Sequence, residues 1–110
     1  MENGYLTTEE LCGFVEEGFE DELWGLIPGY ENYYVSTKGR VWSVISRKFL
    51  KPCLDGEGYP MVGLCSNGEH RTVRIHRVEA LAFIPNPDNL RVARHLNDVK
   101  TDNRVENLDW

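Results

Sequence analysis

The segment RHLNDVKTDNRVENLDW, from Arg94 to Trp110, gathers the side chains of this chain best suited to chemistry. It carries a histidine at 95, then several turn-forming residues, then asparagines at 103 and 107. An imidazole titrates near neutral pH, so His95 is a candidate general base. Taken alone it is equally an ordinary histidine at the end of a strand. Asn97 and Asp98 tolerate left-handed backbone, which marks a tight loop just after the histidine.

The elements that must position these residues are short. LRVARHL is a strand candidate that delivers His95, and VENLDW closes the chain at an exposed-looking tryptophan. Upstream, HRVEALAFI reads as a helix with Val78, Leu81 and Ala82 toward a core, stopped by the prolines of PNPDN. His76, at the start of that helix, reads as a packing or capping residue. YPMVGLCS and HRTVRIH flank Asn67-Gly68, a pair suited to a tight hairpin. YYVS and RVWSVIS are rich in β-formers and enclose the turn TKG. Near the front, TTEELCGFVEEGF reads as a helix. Thr7 and Glu10 form a capping box, Leu11, Phe14, Val15 and Phe19 share one face, and Gly18 is an end signal. Gly13 weakens that helix. The sum is α+β: small antiparallel hairpins with short helices.

A chain of 110 residues makes one domain with at most a short appendage. It has no apolar run of about 18 residues, so no membrane partner is expected. MENGYLTTEE lacks the basic flank and apolar run of a signal peptide. Three cysteines without a CxxC pair suit a reducing compartment and argue against structural zinc. A cytoplasmic location is expected. The net charge of −6 hides a division. Residues 1–37 contain nine acids, Glu2 among them, and no lysine or arginine. Residues 38–110 hold all twelve basic residues against nine acids, a net of +3. The two parts face different electrostatic tasks.

ELWGLIPGYENYYVSTKGRVWSV resembles the DNA-binding module at the front of many phage and intron-borne HNH homing endonucleases. IHRVEALAFIPNPDN followed by HLNDVKTDNRVENLDW resembles their HNH nuclease motif. The match is collinear from about Glu22 to Trp110 and built of several blocks, which makes it far more specific than a single motif. It implies an acidic extension over 1–21, a DNA-binding module over 22–70 and an HNH motif over 71–110. In the family that motif folds as two strands and a helix around one divalent cation. The resemblance implies His95 as the general base that activates water against a phosphodiester. It implies Asn107 as the residue that ties the loop back so that the histidine is oriented, and Asn103 as a second loop-fixing residue. The cofactor implied is Mg²⁺ or another divalent cation if the site is active, and none otherwise. The partner implied is double-stranded DNA, with Lys38, Arg40, Arg47, Lys48, Lys51 and Arg77 as candidate phosphate contacts.

Two departures bear on that expectation. The residue before the histidine is normally Asp or Asn and binds the metal. Here it is Arg94, whose guanidinium has no acceptor and repels a cation. The family also continues past the tryptophan into a helix that supplies the last ligand, whereas this sequence ends at Trp110. No metal ligand is therefore assigned, the ββα-metal motif reads as incomplete, and cleavage is expected to be impaired. An alternative is a non-catalytic descendant, for example a phage inhibitor of a host nuclease or defence system. Its partner would be a nuclease or DNA-binding protein, met through the acidic front end: Glu9, Glu10, Glu16, Glu17, Glu20, Asp21 and Glu22. A decayed pseudogene product or one half of a split nuclease is a third reading.

Overall fold

In chain order the elements are β1 (Leu6–Thr7), α1 (Thr8–Cys12), β2 (Leu23–Ile27), β3 (Tyr30–Ser36), β4 (Val41–Ser43), β5 (Lys48–Phe49), β6 (Cys53–Leu54), β7 (Pro60–Ser66), β8 (Glu69–Arg74), α2 (Ile75–Phe83), β9 (Arg94–His95), a 3-10 turn (Val105–Asn107) and β10 (Leu108–Asp109). The computed structural model describes residues 4–110, so Glu2 lies outside the described residues. Strands β1 to β5 form one sheet in sequence order. A second sheet is the three-stranded meander β6-β7-β8, and β9 pairs with β10 alone. All pairings are antiparallel. The architecture is α+β, as the mixture of hairpin and helix signals predicts.

Local sequence explains much of this. Asn67 and Gly68 both adopt positive φ, at 53° and 81°, the two left-handed positions of a type I′ hairpin turn. That turn fixes the register of β7 on β8, with Ser66 opposite Glu69 and Val62 opposite Val73. Helix α2 stops before Pro85. It lies across both larger sheets, and Ile75 and Val78 join Ile27, Val35, Val41, Val62 and Leu64 in one core. Burying side chains of this size contributes about 1.5–3 kcal/mol each.

Four sequence expectations are corrected. The front helix ends at Cys12, because Gly13 takes a left-handed φ of 88° and returns its N–H to Glu9. Phe14 and Val15 therefore lie exposed and do not extend an apolar helix face. The capping box at its start is present in full, with Thr7 Oγ1 accepting from the Glu10 N–H and Glu10 Oε1 accepting from the Thr7 N–H. RVWSVIS is strand only through Ser43, and the chain then turns so that Ser43 faces Lys48. Leu81 points outward at 46% exposure, leaving Val78 and the half-buried Ala82 on the core side of α2. LRVARHL contributes just two strand residues, since Val92 is exposed and unpaired.

The front end is not a loose appendage. β1 extends the first sheet, with Leu6 opposite Trp24. Tyr5 stacks edge-on against Phe83 with centroids 4.8 Å apart and donates its hydroxyl to the Ala82 carbonyl. At the other end the Trp110 indole, half-buried rather than free, donates to the Ile84 carbonyl at 3.0 Å. Both contacts clamp the end of α2.

Candidate active site

β9 and β10 present His95 opposite Leu108, and Arg94 opposite Asp109. The loop between them is held by Asn107. Its Nδ2 donates to Asn97 Oδ1 and to the Asp102 carbonyl, both at 2.9 Å, while its Oδ1 accepts from the Asn97 N–H. Asp98 takes the left-handed φ of 61° expected of this turn. Asn107 therefore fixes the loop without touching the imidazole. The residue that does is Asn103, whose Oδ1 lies 2.7 Å from His95 Nε2. An amide oxygen can only accept, so Nε2 carries a proton, and in the neutral imidazole the lone pair is on Nδ1. His95 is thus held in the tautomer that leaves Nδ1 free to act as a base.

The ring sits in an aromatic stack. Tyr59 lies 5.0 Å from His76 and 5.9 Å from His95, nearly parallel to both, and the two imidazoles are 4.7 Å apart. His76 is buried, as a packing residue should be. Burial first, then the neighbouring His95 and Arg74, push its pKa down to about 4, so it stays neutral beside the candidate base. A cleft of about 490 Å³ opens in front of His95, bordered by Tyr59, Arg94, Asp98 and Lys100. Sequence reasoning missed Tyr59 and Lys100. The ammonium of Lys100 stands 4.9 Å from the Tyr59 ring centre, a contact between residues far apart in the chain.

The first sheet supports this site directly. The turn between β3 and β4 accepts the Val105 N–H at the Thr37 carbonyl, 2.8 Å away. Gly39, at φ 83°, passes so close to Asn103 that a Cβ there would lie 2.6 Å from the Asn103 Cβ. The sequence shows this glycine only as part of a turn. Gly39→Ala combines a left-handed alanine with that clash, and it is expected to cost about 1–3 kcal/mol of stability. It should also release Asn103 from His95. Urea unfolding and the ¹⁵N shifts of the imidazole check both effects, and an unchanged Nε2–H tautomer would rule out the second.

The remaining candidate residues divide. Arg47, Lys48 and Lys51 are exposed on or beside the β4–β5 hairpin, with Arg47 at its turn with φ 55°. Arg77, on α2, donates to the Arg91 carbonyl. Lys38 pairs with Asp21 at 3.4 Å. Arg40, expected among the phosphate contacts, is committed internally. Its Nε donates to Glu22 Oε2 at 3.0 Å and its Nη1 to Glu16 at 2.9 Å, and Phe19 and Phe49 cover its two faces. Burial opposes its charge, and the bonds to Glu22 and Glu16 more than offset that, raising its pKa. The acidic front end is engaged in the same way. Glu10 caps α1, Glu16 and Glu22 hold Arg40, Asp21 meets Lys38, and Glu20 accepts from the Gly18 N–H. Among the described residues, Glu9 and Glu17 are the acids of that group left exposed without such a partner.

A histidine held by a loop asparagine on a two-stranded hairpin, packed on helix α2, is the arrangement expected of an HNH-type module. Residues 22–65 match the NUMOD4 motif. The chain is 36% identical over 88 residues to DNA endonuclease I-HmuI of Bacillus phage SP01, covering 79% of this chain and 51% of that protein. It is 37% identical over 79 residues to the uncharacterized HNH endonuclease L245 of Acanthamoeba polyphaga mimivirus, covering 72% of this chain and 24% of that protein. A solved structure of DNA binding and cleavage by the HNH homing endonuclease I-HmuI superposes with a TM-score of 0.71 at 37% identity, over 77% of this chain and 49% of that one. The chain belongs to the HNH homing endonuclease family. It spans between about a quarter and about half the length of these relatives.

The divalent cation that the family implies can be tested against the donors around His95. Among the side chains bordering the cleft, only Asp98 offers a carboxylate, beside the cations Arg94 and Lys100. The side-chain oxygens of Asn97, Asn103 and Asn107 already accept bonds within the loop or from His95. Among the described residues no group of three or more His, Cys, Asp or Glu side chains is placed to hold a metal ion. A hard cation needs several oxygen ligands and is repelled by a guanidinium. The donor set does not fit it.

Proposed function

We propose that this chain binds double-stranded DNA through the β4–β5 hairpin and presents His95 as the general base for hydrolysis of a phosphodiester. The observation that carries this reading is the 2.7 Å contact between His95 Nε2 and Asn103 Oδ1, which leaves Nδ1 as the proton acceptor. Nδ1 takes a proton from water, the water oxygen bonds to phosphorus, and one ester P–O bond breaks. The leaving oxygen takes its proton from solvent. Arg47, Lys48 and Lys51 supply the charge that attracts DNA: all three are exposed, and none has a carboxylate partner among the described residues.

The test is nicking of supercoiled plasmid, with Mg²⁺, with Mn²⁺ and in EDTA, by the wild-type chain and by His95→Ala. Removing a general base lowers the rate by roughly 100-fold or more. Nicking that His95→Ala leaves unchanged would remove His95 from the chemistry. Lys48→Glu should weaken duplex binding and flatten its salt dependence, as loss of a phosphate contact requires.

A further inference from the structure

Six basic residues have no carboxylate within ion-pair distance among the described residues, and they fall in two places. Arg47, Lys48 and Lys51 are at the β4–β5 hairpin. Lys100 borders the cleft in front of His95, and Arg77 and Arg91 border the cleft next to it. The cleft in front of His95 continues into a second of about 170 Å³, the two sharing Tyr59, Val92 and Ala93 as their common wall. Five cations border the combined groove, namely Arg74, Arg77, Arg91, Arg94 and Lys100, against the single acid Asp98. This concentration of positive charge occurs in a chain whose net charge is −6.

Several of these cations are held in place. Arg74 is neutralised by two carboxylates, Asp55 at 2.6 Å and Glu57 at 2.7 Å, and lies 4.3 Å from the Tyr59 ring centre. Lys100 donates to the Glu57 carbonyl and leans over the same ring. Arg94 meets Asp109 at 3.3 Å, a long contact between two well-exposed side chains that competes weakly with a better anion. Such a set of donors repels a divalent cation and attracts phosphate oxygens, to which guanidinium and ammonium groups donate charge-assisted hydrogen bonds.

We infer that this groove is a second DNA contact, in which Arg94 and Lys100 hold one phosphodiester before His95 and Arg77 and Arg91 hold its neighbour along the strand, with no divalent cation required. The inference rests on the DNA-binding reading and assigns the positive charge at the phosphate to these side chains. Together with the hairpin it makes a two-point grip on DNA, so the two clusters should contribute separately to affinity and to salt dependence.

The experiment is fluorescence anisotropy of a labelled DNA duplex across a salt series, in EDTA and in Mg²⁺. It uses the full chain and the variants Arg91→Glu, Arg94→Glu, Lys100→Glu and Lys100→Gln, with Lys48→Glu as the hairpin control. The side chains replaced are exposed, and circular dichroism checks that each variant folds. Wild-type affinity should be the same in EDTA and Mg²⁺. Each groove reversal should weaken binding about tenfold and flatten the slope of log affinity against log salt by about 1. Lys100→Gln should flatten the slope with a smaller loss. If Lys48→Glu weakens binding while the groove variants match wild type, or if EDTA abolishes wild-type binding, the metal-free groove is overturned and the DNA-binding reading stands. If the wild-type chain binds no duplex in either buffer, the DNA-binding reading fails, and this inference with it.

Discussion

Replacing Arg40 by methionine should lower folding stability by about 3–5 kcal/mol, the cost of leaving a buried charge without its partner. The Glu22 side chain is 0% exposed. It sits at the centre of a relay that begins at the Trp24 indole, which donates to Thr8 Oγ1 at 2.8 Å, and Thr8 in turn donates to Glu22 at 2.9 Å. Arg40 closes the relay with two bonds to the carboxylate and a third to Glu16. Methionine keeps much of the packing between Phe19 and Phe49 but no charge, so Glu22 would retain one hydrogen bond and lose its counter-ion. The double variant Arg40→Met/Glu22→Met should recover most of the loss, because an apolar pair of similar volume has no desolvation cost to offset. Urea unfolding of both variants checks this. A single-variant cost below about 1 kcal/mol would mean that the pair behaves as a surface salt bridge. The same measurement guards DNA-binding work against a false assignment, since weaker binding by an Arg40 variant would report misfolding, not a lost phosphate contact.

Arg40 also shows where the sequence stops being legible. Its charge is visible in TKGRVW, but its partners Glu16 and Glu22 are 24 and 18 residues away, and no local pattern announces them. A cation seen without its counter-ions reads as free. The front end misleads for a related reason: Leu11, Phe14, Val15 and Phe19 have helical spacing, yet one left-handed glycine ends the helix and Phe19 packs on Arg40 instead. By contrast, the Asn67-Gly68 turn, the Thr7-Glu10 cap and the stop of α2 before Pro85 depend on neighbours within a few residues, and each was readable. The site divides along the same line. The family motif singled out His95, Asn103 and Asn107, but which asparagine meets the imidazole depends on the loop's path. Tyr59 and Lys100 come to the histidine's cleft only through tertiary packing.

The second large effect is expected at Glu79. This residue lies on α2 with 0% exposure, and neither carboxylate oxygen has a hydrogen-bond partner among the described residues. Burial, reinforced by the nearby charge of Glu106, raises its pKa from the usual 4.5 to about 9. The folded chain therefore keeps this proton at neutral pH while the unfolded chain releases it. Below the unfolded pKa both states are protonated and the linkage costs nothing. As pH rises above it, the unfolded state gains about 1.4 kcal/mol per pH unit until the folded pKa is reached. At pH 7 this amounts to about 3 kcal/mol of lost stability. Glu79→Gln places a neutral side chain of nearly the same shape in the same unpartnered site, so it removes the titration and leaves the packing. Wild type and variant should match near pH 4, and the variant should be more stable by about 3 kcal/mol at pH 7. Other carboxylates move both curves alike, so the difference between two urea series at each pH isolates Glu79. A difference that stays flat from pH 4 to pH 8 would mean that the carboxyl ionises normally, and that the core opens there to water.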